Sequence, residues 1–136
     1  MAWTLDYDEA SGLIVVVYRG PTTAADIRDC TSAAIALGTR CGSRRFLVDT
    51  AEIVTSVSAL ALYNLAQTQY AAEHLSPWSC VALVLPATEN ERELAKFYET
   101  VCLNRGWRVQ LFENGEDARR WVLEQRVQPP MGTDQS

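Results

Sequence analysis

Arg44-Arg45-Phe46-Leu47-Val48-Asp49-Thr50 is the stretch on which the fold turns. Two arginines lead into a short apolar run, and an aspartate stops it. A second segment, from Thr55 to His74, reads as helix. A buried strand that ends in a carboxylate and hands over to a helix is the middle of an α/β sheet. The rest of the chain lies around it as alternating strands and helices.

Upstream, Trp3, Leu5 and Tyr7 alternate with Thr4 and Asp6, the period of a half-buried strand. A turn follows at Asp8-Glu9-Ala10-Ser11-Gly12. Leu13 to Tyr18 is then a β-branched run too apolar for a strand with one wet face. The two strands form a hairpin, with the first at the sheet edge. Gly20-Pro21-Thr22-Thr23 is expected to break the second strand and to cap a helix through Thr22 or Thr23, with Asp26 matched to the dipole. Ile27, Cys30, Ala34 and Leu37 share a helical face, and Gly38 is expected to end that helix.

Downstream of Asp49 and Thr50, residues 51–58 read as a connection with several possible helix caps. Ala59, Leu62, Ala66 and Tyr70 then form a stripe with Leu65 beside it, and Ser76-Pro77 stops the helix. Ser79 to Leu85 is a second fully buried strand. Thr88 is expected to cap a third helix, which begins with Glu89, Glu91 and Glu93 and buries Leu94, Phe97, Tyr98, Val101 and Cys102. Trp107 to Phe112 is the last strand. Asn114 caps a final helix carried by Ala118, Trp121 and Val122. From Gln128-Pro129-Pro130 onward periodicity is lost, so the domain is expected to span 1–127 and 128–136 to be a disordered tail.

The order is β-β-α-β-α-β-α-β-α, an α/β fold with a mixed sheet of about five strands. Its parallel strands need right-handed crossovers, and ligands in such sheets bind along the strand C-terminal edge. With 136 residues one domain is expected. A net charge of −5 argues against nucleic acid and anionic membrane as partners, and no apolar run is long enough for stable membrane insertion. Cys30, Cys41, Cys80 and Cys102 show no paired spacing, which reads as reduced structural thiols. The first residues have neither a basic segment nor a long apolar run, so a cytoplasmic protein without a leader is expected.

Three pieces carry a resemblance to the SpoIIAA-like proteins, also described as STAS or SEC14-like domains. One is Gly20-Pro21-Thr22-Thr23-Ala24-Ala25-Asp26, similar to that family's glycine-led entry to its first helix. Another is Arg45 to Thr50, similar to its central strand ending in Asp. The third runs from Val109 to Val122, similar to a phenylalanine, a short acidic turn and Ala-x-x-Trp. Together they frame residues 3–125. The resemblance implies a SpoIIAA-like fold. Members of the anti-sigma-antagonist branch carry an Asp-Ser-x-Gly loop whose serine is phosphorylated. Ser56 or Ser58 occupies that position here, but the preceding Asp and following Gly are missing, so the implied module lacks the serine phospho-switch.

Candidate chemistry is sparse. His74, the sole histidine, falls at the far end of a helix from Asp49, so no Ser-His-Asp set converges. No phosphate loop or metal cluster is seen, and neither a cofactor nor a metal is expected. Asp49 at a buried strand end needs partners, either the next loop's N–H groups or a ligand. Glu89, Glu91 and Glu93 read as dipole-matched helix-start charges, Arg44 and Arg45 as solvated, and Trp121 as core.

The expected function is therefore a non-catalytic regulatory or protein-interaction module. The alternative is a carrier of a small apolar or lipid-like ligand, as the SEC14-like relatives imply. The candidate binding residues are Asp49, Thr50, Ser56, Ser58, Leu60, Tyr63 and Thr88. The helix from Ala59 to Tyr70 has no charged outer face, which places Leu60, Tyr63 and Gln67 against another surface. A protein partner or a second copy, as a homodimer, would supply it.

Overall fold

The computed structural model describes residues 2–55 and 57–127. Among them the chain forms β1 (Trp3–Asp8), β2 (Leu13–Pro21), α1 (Ala24–Cys41), β3 (Arg45–Val54), α2 (residues 59–72), β4 (Cys80–Val84), α3 (Glu89–Asn104), β5 (Arg108–Phe112) and α4 (Gly115–Glu124). The expected 128–136 tail lies outside the described residues. One sheet runs β1-β2-β3-β4-β5. β1 is antiparallel to β2, and the remaining neighbours are parallel. This is the mixed α/β sheet read from the sequence.

The two sheet faces are covered unequally. Cys30 and Ala34 of α1, Leu62, Leu65 and Ala66 of α2, and Tyr98 and Val101 of α3 pack on Ile14, Phe46 and Val81. On the other face α4 alone sets Ala118 and Val122 on Leu13, Leu47 and Ala82. Strand side chains alternate between these layers, so the inner strands must be apolar on both sides. All five residues of β4 are buried, and each fully buried aliphatic side chain contributes about 1.5–3 kcal/mol.

Both strands that frame the site are longer than their apolar runs. β2 does not break at Gly20-Pro21 but pairs through Pro21, with Gly20 at φ 68°. β3 does not stop at Asp49 but continues to Val54, and Arg19, Gly20 and Pro21 pair with Glu52, Ile53 and Val54. The register between Val17 and Arg19 slips by one residue, because β3 carries an extra one. The extension is held by backbone pairing to β2, and it buries Thr50 and Ile53 while Ala51, Glu52 and Val54 stay exposed. The expected 51–58 connection shrinks to residues 55–58, and α2 begins at Ala59 rather than Thr55.

Helix α1 begins as expected. The Thr23 Oγ1 accepts the Asp26 N–H at 3.1 Å, and the Asp26 carboxylate accepts the Thr23 N–H at 2.9 Å. It does not end at Gly38. Gly42, at φ 70°, is the left-handed cap and donates to Gly38 O and Thr39 O. Gly38 is buried inside the helix, where a Cβ would lie 3.0 Å from Phe46 Cζ and 3.0 Å from Ser43 O. Close approach, not termination, requires glycine there.

Three further expectations are corrected. Arg44 and Arg45 are not free in solvent. Arg44 Nη1 donates to Val127 O at 2.8 Å, and Arg45 donates to Val122 O at 3.2 Å and Gln125 O at 3.0 Å, so both hold the C-terminal end of α4 and its exit. Trp121 is half-buried against Phe112, with ring centroids 5.6 Å apart, while Ala118 and Val122 take the fully buried positions. Phe97 is exposed at the rim of α3.

Candidate functional site

The strand C-terminal ends, α1, α2 and the start of α3 surround a half-open cavity of about 110 Å³. Its walls are mainly apolar, from Ile27, Val48, Ile53, Leu62, Leu65 and Leu83. A smaller space of about 50 Å³ shares Tyr18, Thr31, Val48, Tyr70 and Tyr98 with it and extends toward the middle of the sheet. On the outer side, a groove of about 190 Å³ between α1 and α2 shares Ile27, Val57, Leu62 and Leu65 with the cavity wall. Helix α2 thus has unfilled space on two sides of its N-terminal half.

The form of α2 explains how it spans that space. Ser58 caps it, its Oγ accepting the Ala61 N–H at 3.1 Å. The helix runs as α over Ala59–Asn64, widens into a π turn over Leu65–Gln69, and closes as α over Tyr70–Ala72. The Tyr70 N–H reaches back five residues to Leu65 O, and Ala66 O accepts the Trp107 indole N–H at 2.9 Å. Such insertions recur at functional sites. Here the turn brings Tyr70 edge-on to Trp107, with centroids 5.6 Å apart at 88°, and its hydroxyl onto that of Tyr98. Beyond the turn, Gln69 donates to Arg28 O at 3.0 Å and the Ser32 hydroxyl donates to Glu73 at 2.7 Å. Polar contacts therefore fasten the C-terminal half of α2 to α1.

The polar groups of the cavity come from five elements. Thr50 is buried and donates to Val84 O at 2.5 Å. Tyr70 and Tyr98 form a buried hydroxyl pair, and burial drives both phenols above the ordinary value of 10.0. Tyr18 is raised for the same reason. Burial pushes the Cys30 thiol up to about 11 and the Cys102 thiol up to about 12. These groups stay protonated, and as such are poor nucleophiles and bases.

Glu91 lies in the first turn of α3, where a dipole-matched charge is expected, and it is buried there. It is 7% exposed and lines the cavity, rather than standing in solvent with Glu89 and Glu93. One carboxylate oxygen accepts the Thr88 hydroxyl at 2.5 Å, and the other accepts the Thr55 N–H at 2.5 Å. Thr88 holds the N-cap position of α3, but its side chain bonds Glu91 instead of the helix backbone. The signal was present in the spacing. Glu91, Leu94, Ala95 and Tyr98 share one helical stripe, whereas Glu89 and Glu93 fall off it.

The other expected site residues do not converge. Asp49 points away from the cavity on the opposite sheet face from Thr50, and its Oδ1 accepts the Ala51 N–H at 2.9 Å. Its partner is the adjoining backbone. Ser58 is exposed and acts as a helix cap, and Ser56 lies outside the described residues. Leu60 is 66% exposed and Tyr63 39% exposed, on the outer side of α2. His74, at φ 62°, lies beyond the far end of α2. Among the described residues no cluster of side chains is arranged to hold a metal ion, and no helix is long and apolar enough to cross a membrane.

No protein-family model matches this sequence, and no curated protein matches it. Among solved structures, the chain is similar to an uncharacterised protein of the DUF3478 family from Shewanella loihica PV-4, described as having a SpoIIAA-like fold. The match has a TM-score of 0.54 at 16% identity and covers 89% of this chain and 92% of that one. The fold is SpoIIAA-like, as the three sequence pieces implied, and at this identity the likeness extends to the fold alone.

Proposed function

We propose that this chain is a non-catalytic binding module that takes a small, mainly apolar ligand beneath α2 and signals its presence through that helix. The observation that carries the reading is the cavity itself. A space of about 110 Å³ with aliphatic walls lies at the strand C-terminal edge, where sheets of this kind bind ligands. An engineered apolar cavity of about 150 Å³ holds benzene, and this space is smaller, so the part of an occupant that it takes is no larger than a single ring or a short chain. The phenols at the cavity are held protonated by burial, which suits recognition better than acid-base chemistry. Native mass spectrometry after gentle purification tests it. A retained small mass, lost in Ala95→Leu where the added side chain fills the cavity, is the expected result. An empty protein that takes up no small apolar probe overturns the reading.

A second reading, protein docking or self-association through α2, is favoured by a separate observation. Leu60 and Tyr63 stand exposed on a helix whose outer face has no charge, with Val54 exposed at the nearby end of β3. A cytoplasmic homodimer is the simplest assembly that covers this face.

A further inference from the structure

We propose that the ligand carries a protonated amine and that Glu91 receives it. This rests on the cavity reading above and names the ligand's head group. Glu91 is one of four buried polar or charged residues among those described, and the only one of them that bears a formal charge. Both of its oxygens accept a hydrogen bond, from Thr88 and from Thr55, the pattern of an ionised carboxylate. No ion pair among the described residues includes it. Arg92, the next residue, instead pairs with Glu113 at 2.6 Å.

A carboxylate this deeply buried is held at a cost unless a counter-charge meets it. The N-terminus of α3 supplies part of one, since Glu91 lies in the first turn. Each oxygen keeps a second acceptor site after its one bond, so the carboxylate has capacity left on the side of the cavity that it lines. The remaining walls offer an aliphatic surface and hydroxyls. The combination fits a small ring or chain that ends in an ammonium group. An anionic head group would meet Glu91 unfavourably. A pure hydrocarbon would add nothing to the bonds from Thr88 and Thr55 and would bring no counter-charge. The protein's net charge of −5 also favours the approach of a cation.

Three probes of one shape decide it: benzylamine, benzyl alcohol and benzoate. Methyl chemical shifts of Leu65 and Leu83 report occupancy of the cavity. Benzylamine is expected to bind at least about tenfold more tightly than benzyl alcohol, as a charge-assisted hydrogen bond in a buried site allows. Benzoate is expected to bind weakest. High salt should leave the amine preference in place, since a buried pair is poorly screened, whereas adsorption to the acidic surface would vanish. In Glu91→Gln the amine and the alcohol should bind alike. Equal binding of amine and alcohol to the wild type overturns the head-group assignment while leaving the cavity reading intact. Failure of all three probes to shift the cavity methyls overturns both. The wild-type ratio needs no variant, so the test stands even if Glu91→Gln fails to fold.

Discussion

Mild alkali should destabilise this protein, and the buried phenols and thiols say by how much. Tyr18, Tyr70 and Tyr98 are each 6% exposed, and Cys30 and Cys102 are 1% and 0% exposed. Burial raises all five above their ordinary values of 10.0 for the phenols and 9.0 for the thiols, with Cys30 at about 11 and Cys102 at about 12. A raised folded value means that the group's stability is complete below the unfolded value and is lost as the pH climbs toward the folded one. Above pH 9 the unfolded chain releases thiol protons that the folded chain keeps, so the unfolded state binds fewer protons and stability falls. At about pH 10 each thiol removes about 1–2 kcal/mol and each phenol less than about 1 kcal/mol, some 4 kcal/mol in all. Cys80, also raised by burial, acts in the same direction. A domain holds about 5–15 kcal/mol in total, so the loss is a large share. Urea unfolding at about pH 7 and about pH 10 reads it, and ionisation of Tyr18, Tyr70 and Tyr98 should appear only with unfolding. A double variant Cys30→Ala, Cys102→Ala should lose far less over the same interval. Stability at about pH 10 within about 1 kcal/mol of its neutral value would refute the reasoning, as would ionisation of Tyr18, Tyr70 or Tyr98 in the folded state.

Other perturbations test separate parts of the structure. Gly38→Ala gains about 1 kcal/mol of helix propensity but sets a methyl 3.0 Å from Phe46 and from the Ser43 carbonyl. Overpacking of that kind costs about 1–3 kcal/mol, so a net loss of about 1 kcal/mol is expected, and a stabilised variant would show that the Phe46 ring yields. Trp121→Ala should cost about 1–3 kcal/mol, below the range for a fully buried tryptophan, because Trp121 is only half-buried against Phe112; denaturant titration reads it. Arg119→Ala should raise the Asp8 carboxyl toward its ordinary 3.8, because the Arg119 guanidinium is the main cause that lowers it. The stability that Asp8 lends is present above that ordinary value and lost as pH falls, so the variant's acid limb should be shallower, with the carboxyl followed by NMR titration. Leu60→Glu should split a dimer while leaving the monomer folded, and a wild type that sediments as a monomer at high micromolar concentration removes self-association through α2.

The fold was legible where burial dictated composition. Leu13 to Tyr18, Phe46 to Val48 and Cys80 to Leu85 sit between two helical layers, and only apolar residues serve there. The caps at Thr23 and Asn114 were legible because an orphan helix N–H accepts few side-chain types. The extension of β3 was not, because Ala51, Glu52 and Val54 meet solvent and are held by backbone bonds to β2. Backbone pairing leaves no trace in side-chain pattern. The π turn was equally silent, since it answers to the Trp107 indole, 41 residues downstream of the Ala66 carbonyl that it engages.

Glu91 marks a different limit. Its place in the first turn of α3 is what a dipole-matched surface charge would also have, so the position alone decides nothing. What separates it from Glu89 and Glu93 is the direction in which the helix turns it, and that follows from the apolar stripe of Leu94, Ala95 and Tyr98 behind it. Once there, its two oxygens join the N-terminus of α3 to the end of β3 through Thr88 and Thr55. The same carboxylate therefore holds the loop that leads into α2 and lines the cavity that α2 covers. A ligand cation drawn to Glu91 would compete with or reinforce those two bonds, and the segment they hold runs directly into the helix bearing Leu60 and Tyr63. On the two proposed readings, ligand binding inside and docking outside would be linked through this one side chain, which gives them a common physical element.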